Sequence, residues 1–157
     1  MILPSLFLML AASPFAPINT TQGTWTVTTS QSAKADTLIN RCVEGAAFFA
    51  CEQTLNGRPI AMVVYTLTSD PHKFYSQAIL PDGTAAGRTE LTLDGDNNSH
   101  WTFRNQGTGA DGKPVFYRVE NTYSGSDRMH FEQYDSPDGK TWTKRNEGDE
   151  VRVRPLP

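Results

Sequence analysis

The amino-acid sequence predicts an all-β protein in which about ten antiparallel strands form an up-and-down β-barrel. Dipeptides that favour tight turns recur at short intervals, because Gly, Asn and Asp adopt positive φ angles and Pro presets the first turn position. The segments between them have strand length and are rich in β-branched and aromatic residues. Apart from a short helical turn expected at residues 33–39, no window of about 11 residues keeps a helical period. The turn signals are Glu44-Gly45, Asn56-Gly57, Asp70-Pro71, Pro81-Asp82-Gly83, Asp94-Gly95, Asp111-Gly112, Ser124-Gly125, Pro137-Asp138-Gly139 and Glu147-Gly148.

Alternation within the strand-like segments indicates one buried side and one solvent-facing side. Trp101 and Phe103 share one side of their segment, and Met129 and Phe131 share one side of another. Hairpin-connected strands of this kind form a barrel or a sandwich. Closure into a barrel also removes exposed strand edges, so we expect the barrel.

Size and charge indicate one globular domain and argue against a nucleic-acid partner. The chain has 157 residues, of which 38% are hydrophobic and 10% aromatic, and this suits a single hydrophobic core without a second domain. The formal net charge is −3, from 14 basic and 17 acidic residues. Such a balance provides no basic surface for phosphate backbones, so we expect no nucleic acid among the partners.

The N-terminus is an apolar run that ends in small residues, which is typical of a secretory signal. We expect residues 1–16 to be a signal peptide, residues 17–157 to be the barrel domain, and the mature chain to begin between Ala12 and Pro17. The run is shorter than the ~20 residues that span a bilayer, so we expect no stable membrane anchor and a secreted or periplasmic protein. The alternative is a buried N-terminal segment, because the positive residues that open a signal are missing.

Cys42 and Cys51 are the only two cysteines, and an even pair in an exported chain predicts one disulfide. Residues 36–43 and 47–55 are expected to form two strands of one hairpin, and a disulfide across it needs a Cα separation below about 7 Å. The alternative is two buried free thiols. We expect no catalytic thiol, since neither cysteine has a histidine neighbour in sequence.

The segment Gln22-Gly23-Thr24-Trp25 resembles the Gly-x-Trp opening of the lipocalin and wider calycin barrels. Together with later segments, it makes residues 20–154 similar to a bacterial calycin-like family of unknown function, related in shape to nitrobindin and the fatty-acid-binding proteins. The later segments are Asn56-Gly57-Arg58-Pro59, Asp82-Gly83, Asp111-Gly112-Lys113-Pro114, Pro137-Asp138-Gly139-Lys140-Thr141-Trp142 and a last strand with Arg152 and Arg154.

The resemblance implies a barrel of roughly ten antiparallel strands with an interior cavity and no established activity. It also implies that Trp25 closes the base of the barrel beneath a basic residue of the last strand. Arg152 or Arg154 would take this position through a cation–π contact.

Aromatic residues on several strands occupy the alternate positions expected of side chains that face a barrel interior. A cavity lined by their rings, with Arg118 or Gln133 as a polar group, suits a small hydrophobic or amphipathic ligand. The alternative is that the same rings fill the interior, as in many small barrels. The set comprises Tyr65, Trp101, Phe103, Tyr117 and Phe131.

His130 and Glu132 lie two residues apart on an expected strand and share one side of it, which makes them a candidate metal-ligand or acid–base pair. If Met129 and Phe131 face the interior, however, this pair faces water. The likeness to nitrobindin implies a second role for a histidine, as the axial ligand of a haem in the interior. Nothing around His130, however, reproduces a haem motif. We therefore predict no metal site, no cofactor and no catalytic residue.

Three functions remain open. The favoured one is an exported, non-enzymatic barrel that binds a small hydrophobic or amphipathic molecule in its interior. The second is a hydrolase or isomerase that uses His130 and Glu132. The third is a structural or partner-binding module of the cell envelope, which predicts a contiguous exposed apolar patch above roughly a few hundred Å².

Overall fold

A computed structural model describes residues 12–153, in which two short 3₁₀ helices accompany ten strands. In this part of the chain, no helix is long and apolar enough to cross a lipid bilayer. The helical turn expected at residues 33–39 is wrong, because β-branched residues and the pairing partners of β2 keep that segment extended. The elements are helix Ala16–Thr21, β1 (Gly23–Thr29), β2 (Ser32–Glu44), β3 (Phe48–Leu55), β4 (Arg58–Leu67), β5 (Lys73–Ile79), β6 (Thr89–Asp94), helix Asp96–Asn98, β7 (His100–Thr108), β8 (Pro114–Tyr123), β9 (Arg128–Ser136) and β10 (Thr143–Arg152).

The ten strands close into one antiparallel barrel. Each strand pairs with its neighbours in sequence, and β1 pairs with β10 to complete the circle. The register at this seam places Trp25 opposite Arg152 and Val27 opposite Glu150. Closure leaves the sheet without a free edge, because the backbone groups of β1 and β10 pair with each other. The predicted fold class is confirmed.

The pleat of the strands decides which side chains lie inside. Residues directly opposite one another on paired strands share a side of the sheet, and Trp101 pairs with Leu93 on β6 and with Asn121 on β8. Trp101 is 1% exposed. Met129 and Phe131 on β9 are also buried. The alternation seen in the sequence therefore predicts the interior side of β7 and β9 correctly.

A short helix plugs one end of the barrel, which we call the base. Phe15 immediately precedes the helix Ala16–Thr21, and Phe15 and Ile18 are both fully buried. The Phe15 ring lies 6.2 Å from the ring of Phe49 and 6.1 Å from the ring of Phe74. Phe15 thus belongs to the core of the barrel. The domain boundary expected between residues 16 and 17 stays a prediction. The signal peptide itself stays a prediction, since residues 1–11 lie outside the described residues.

Arg152 covers Trp25 at the base. The guanidinium carbon lies 4.2 Å from the centre of a Trp25 ring, and Nη2 donates a hydrogen bond to the Thr20 carbonyl at 2.6 Å. Gly23 has a φ of +128°, and a Cβ there would stand 2.5 Å from Arg152 Nη1. Glycine at the start of the Gly-x-Trp segment therefore leaves room for the guanidinium. Arg154, the other candidate for this position, lies outside the described residues.

Cys42 and Cys51 form the predicted disulfide. They are directly opposite in the register of β2 and β3, with Cα atoms 4.0 Å apart. Cys51 is 2% exposed and belongs to the core cluster around Phe49. The disulfide therefore joins the two strands on the interior side of the barrel.

Candidate functional site

Two adjoining compartments occupy the interior of the barrel. The deep compartment lies next to the base and has a volume of about 150 Å³. The outer compartment lies towards the opposite end, which we call the mouth, and has a volume of about 500 Å³. Gln53, Tyr65 and Phe103 line both compartments, so the two meet at these side chains. The aromatic rings therefore fill part of the interior and leave a cavity in the rest.

The deep compartment contains polar groups that the protein leaves unpaired. Asn121, Tyr123 and Glu150 line it from β8 and β10, and Tyr65 lines it from β4. Among residues 12–153, neither tyrosine hydroxyl nor the Glu150 carboxyl hydrogen-bonds to another residue, and Asn121 Oδ1 is buried without a partner. Buried polar groups are normally hydrogen-bonded, so this cluster indicates a place for a bound molecule or ordered water.

Burial governs the titration of these groups. It raises the pKa of Glu150 to about 7. Burial, and after it the charge of Glu150, raises the pKa of Tyr65 to about 12. The pKa of Tyr123 is raised in the same way, against the opposing effect of Arg152. Glu150 therefore exchanges a proton near neutral pH, whereas both tyrosines remain protonated there.

The N–H donors around the deep compartment are largely engaged by the protein itself. Trp25 Nε1 and Asn40 Nδ2 donate to the Thr21 carbonyl at 3.0 and 2.9 Å. Gln53 Nε2 donates to Asn40 Oδ1 at 3.0 Å. Trp101 Nε1 donates to a backbone carbonyl at 2.7 Å. The polar groups left for a bound molecule therefore include the oxygens of Asn121 and Glu150 as acceptors, together with the hydroxyls of Tyr65 and Tyr123, which can accept or donate.

The outer compartment is more apolar and reaches the surface. Val63, Ala78 and Val119 line its wall from β4, β5 and β8. Gly87 and Tyr117 stand at the mouth, where Tyr117 is 42% exposed. The outer compartment is therefore open to solvent and adjoins the polar deep compartment at Gln53, Tyr65 and Phe103.

Four of the six side chains expected to line the interior do so. Tyr65 and Phe103 line both compartments, Trp101 lines the deep one, and Tyr117 lines the outer one. Phe131 lies inside but packs over Gly148, where a Cβ would stand 2.8 Å from its ring. Phe131 thus fills the barrel beside the seam of β1 and β10.

Arg118 is the exception and corrects the sequence-based prediction. It alternates with Tyr117 on β8, so its side chain lies on the outer face of the barrel. Its guanidinium carbon lies 4.6 Å from the ring centre of Tyr134 and 4.5 Å from that of Trp142, and its Nε lies 3.1 Å from Glu120. These partners hold Arg118 against the surface, away from either compartment.

His130 and Glu132 also lie on the outer face. His130 Nδ1 is 3.2 Å from Asp149, while Glu132 pairs with the Lys144 ammonium and accepts a hydrogen bond from Tyr134 at 3.0 Å. The hydrogen bond from Lys144, and after it that from Tyr134, lowers the pKa of Glu132 despite opposing desolvation. The hydrolase or isomerase hypothesis loses its support here, because the pair lines none of the described cavities.

A third carboxylate joins this outer pair in space. Ligand atoms of His130, Glu132 and Glu147 lie within 4.8 Å of one another. Lys144, however, places its ammonium against Glu132 and 2.8 Å from Glu147. The two carboxylates thus already have a cation from the protein.

The histidines do not supply an axial ligand to the interior. His72 pairs with Asn98 at 3.2 Å in the loops near the base, and His100 pairs with Thr122 at 3.3 Å on the outer face. His130 is the third of the three in the sequence. The cavities are lined by none of them, so a histidine-ligated haem does not fit this interior.

Glu150 and Tyr123 are the side chains that sequence reasoning missed. A signal for Glu150 was present, because Arg152 was expected to face Trp25, and the residue two positions earlier on the same strand shares that side. In the same way, Tyr117 is expected to face inward, and Tyr123 lies an even number of residues later on β8, so the two side chains share a side of the strand. The run of charged residues around Glu150, however, is typical of a solvent-facing strand.

Apolar side chains are exposed on the outer faces of β2 to β5. Val43 is 64% exposed, Phe48 43%, Met62 48% and Ile79 39%. Met62 lies directly opposite Ile79 in the register of β4 and β5. We call these four side chains the outer apolar patch. The third hypothesis requires an exposed apolar surface, and these side chains would belong to it.

Comparisons with known proteins find similarity in fold. No protein-family model matches the chain, and no curated protein sequence matches it. In structure it is similar to Rv2717c from M. tuberculosis, with a TM-score of 0.59 and 12% identity over 91% of this chain and 99% of that chain. A lesser likeness, with a TM-score of 0.37 and 12% identity over 90% and 100% of the two chains, is to EF1p2_mFAP2b bound to DFHBI. At these identities the likeness to Rv2717c concerns the barrel fold alone.

Proposed function

We propose that this chain is an exported, non-enzymatic barrel that binds one small amphipathic molecule in its interior. The observation that carries the proposal is the pair of adjoining compartments, one more apolar and open at the mouth, the other deeper and lined by unpaired polar groups. An amphipathic ligand places its apolar part along Val63, Ala78 and Val119 and its polar part near Glu150. The closed ten-strand scaffold holds these walls in place.

The test is to block the outer compartment from inside. Ala78→Phe adds a ring to the cavity wall, whereas Ala50→Phe adds the same ring to the outer face of β3, where Ala50 pairs with Val43 and Val64. N-phenyl-1-naphthylamine, a neutral fluorescent aromatic amine, reports binding. We expect one probe per chain, at least a tenfold loss of affinity in Ala78→Phe, and no change in Ala50→Phe.

Two results oppose the proposal. The first is equal binding by both variants, which places the probe elsewhere. The second is the absence of probe binding together with native mass spectra of the purified chain that contain no additional small molecule. Export is tested separately, by expressing the full chain in a bacterial host and determining the N-terminus of the chain recovered outside the cytoplasm.

A second candidate function is self-association through the outer apolar patch. Val43 and Met62 are the most exposed of its members, and burying them between two copies of the chain would remove apolar area from water. Sedimentation velocity of the unmodified chain against Met62→Asp tests it. A monomer at every concentration removes this candidate.

A further inference from the structure

Among residues 12–153, no cationic side chain pairs with the carboxyl of Glu150. Its register partners are Val27 on β1 and Met129 on β9, which are both apolar. The basic residue two positions on, Arg152, directs its guanidinium to the base, where it covers Trp25 and bonds to the Thr20 carbonyl. An ionised carboxylate in such a place is costly unless something pairs with it.

The groups around Glu150 include several oxygen acceptors. Asn121 Oδ1 is buried and unpaired among residues 12–153, and Gln53, whose Nε2 donates to Asn40, also lines the compartment. The hydroxyl oxygens of Tyr65 and Tyr123 also accept. A ligand group with two or three N–H donors and a positive charge would satisfy these oxygens together, whereas a carboxylate or phosphate would face Glu150 with the same sign.

Aromatic faces favour the same charge. The Trp101 and Tyr123 rings lie 4.7 Å apart, and both line the deep compartment with Tyr65. Electron-rich ring faces attract cations, most strongly when water is excluded. The shape of the interior also limits the head group: the deep compartment of about 150 Å³ is less than a third of the outer one of about 500 Å³.

We infer that the ligand carries a small primary ammonium group, which sits in the deep compartment against Glu150, Asn121 and Tyr65, while its apolar body fills the outer compartment. The inference rests on the proposed function and narrows it to amphipathic amines. The ammonium supplies a counter-charge for Glu150, which has none among residues 12–153, and N–H donors for the unpaired oxygens of the compartment.

The experiment compares three probes of equal chain length: octylamine, 1-octanol and octanoate. Isothermal titration at pH 8.5 keeps the amine charged and Glu150 ionised. We expect octylamine to bind at least tenfold more tightly than 1-octanol, and octanoate to bind most weakly. In Glu150→Gln the advantage of octylamine over 1-octanol falls below threefold, while the affinity for 1-octanol is unchanged.

Glu90→Gln is the matched control, because it removes the same charge from an exposed outer position on β6. It should leave all three affinities as they are. Near-isosteric replacement of Glu150 keeps the fold, and the unchanged 1-octanol affinity verifies this directly.

Failure of the inference and failure of the proposed function give different results. If 1-octanol or octanoate binds as tightly as octylamine, or if the preference for the amine survives in Glu150→Gln, the ammonium site is wrong while interior binding stands. If none of the three probes binds and Ala78→Phe changes nothing, the interior is not a binding site and both proposals fall.

Discussion

Two glutamates on neighbouring strands show how differently the inside and the outside of this barrel treat the same side chain. Glu132 lies on the outer face of β9, paired with Lys144 and Tyr134, and these partners lower its pKa. Glu150 lies on the inner face of β10 without a hydrogen-bond or ion-pair partner among residues 12–153, and burial raises its pKa to about 7. The outer residue belongs to a charge network that balances itself, whereas the inner one has no counter-charge in the described part of the chain.

The contrast shows that a cluster of titratable residues is a poor guide to function when the cluster neutralises itself. His130, Glu132 and Glu147 stand together, but Lys144 already compensates the two carboxylates. A residue in the interior without a counter-charge is more informative, since leaving it unpaired costs stability that a ligand can restore.

The largest expected difference between inside and outside concerns two phenylalanines. Phe15→Ala removes a fully buried ring from the plug, and we expect it to lower the free energy of unfolding by about 3–5 kcal/mol, because a cavity remains among Phe49 and Phe74. Phe48→Ala removes the same ring from the outer face, where Phe48 is 43% exposed, and should cost less than about 1 kcal/mol. Urea unfolding of both variants measures the difference, and equal losses would mean that the plug does not support the barrel.

The next largest expected effect is a pH dependence of the free energy of unfolding that comes from Glu150. A carboxyl whose folded pKa is raised from 4.5 to about 7 weakens the fold as pH rises through this window, fully so above about 7 and not at all below about 4. Glu150→Gln should therefore stabilise the unliganded barrel by about 2–3 kcal/mol at pH 8 and change little at pH 4. Thermal unfolding at the two pH values measures this. A variant that is less stable at pH 8 would show that Glu150 has a partner after all.

The disulfide provides an interior link that does not depend on charge. Replacing Cys42 and Cys51 together by Ala should lower the free energy of unfolding by about 2–3 kcal/mol, because the bridge restricts the unfolded chain across a short loop of β2 and β3. The loss should be the same at pH 4 and pH 8, whereas the stabilisation expected from Glu150→Gln depends on pH. Chemical unfolding of the double variant at both pH values tests this, and a pH-dependent loss would contradict it.

The smallest effect, and one of opposite sign, is expected at Glu132. Its lowered pKa means that it contributes stability above its unfolded pKa of about 4.5, and that this contribution disappears as pH falls through the lowered folded value. Glu132→Gln should destabilise the barrel at pH 7 by less than about 1 kcal/mol, because the ion pair with Lys144 is partly exposed. Lys144→Met should reproduce most of this loss, and double-mutant analysis of the two checks that they act as a pair.

Much of the fold, but less of the candidate site, can be predicted from the sequence. Turn signals and alternation are local properties, so they predict the strands and the inward sides of Trp101 and Met129, and the disulfide follows from two cysteines on one hairpin. The role of Phe15 is not predictable in this way, since an export signal and a buried plug both need apolar residues. Glu150 depends on the register of β10 against β1, which is set by closure of the whole barrel rather than by its neighbours in sequence.

The seam between β1 and β10 brings the two ends of the barrel-forming chain together. The amide of Val153 donates to the Thr24 carbonyl at 2.8 Å beside the base, while the turn at Asp111 and Gly112 lies at the opposite end, next to the mouth. A linker from Val153 back to residue 12, with new termini opened at Gly112, would give a circular permutant that keeps all ten strands. In such a molecule a reporter domain could be inserted beside the mouth, and occupancy of the interior would be read as a signal.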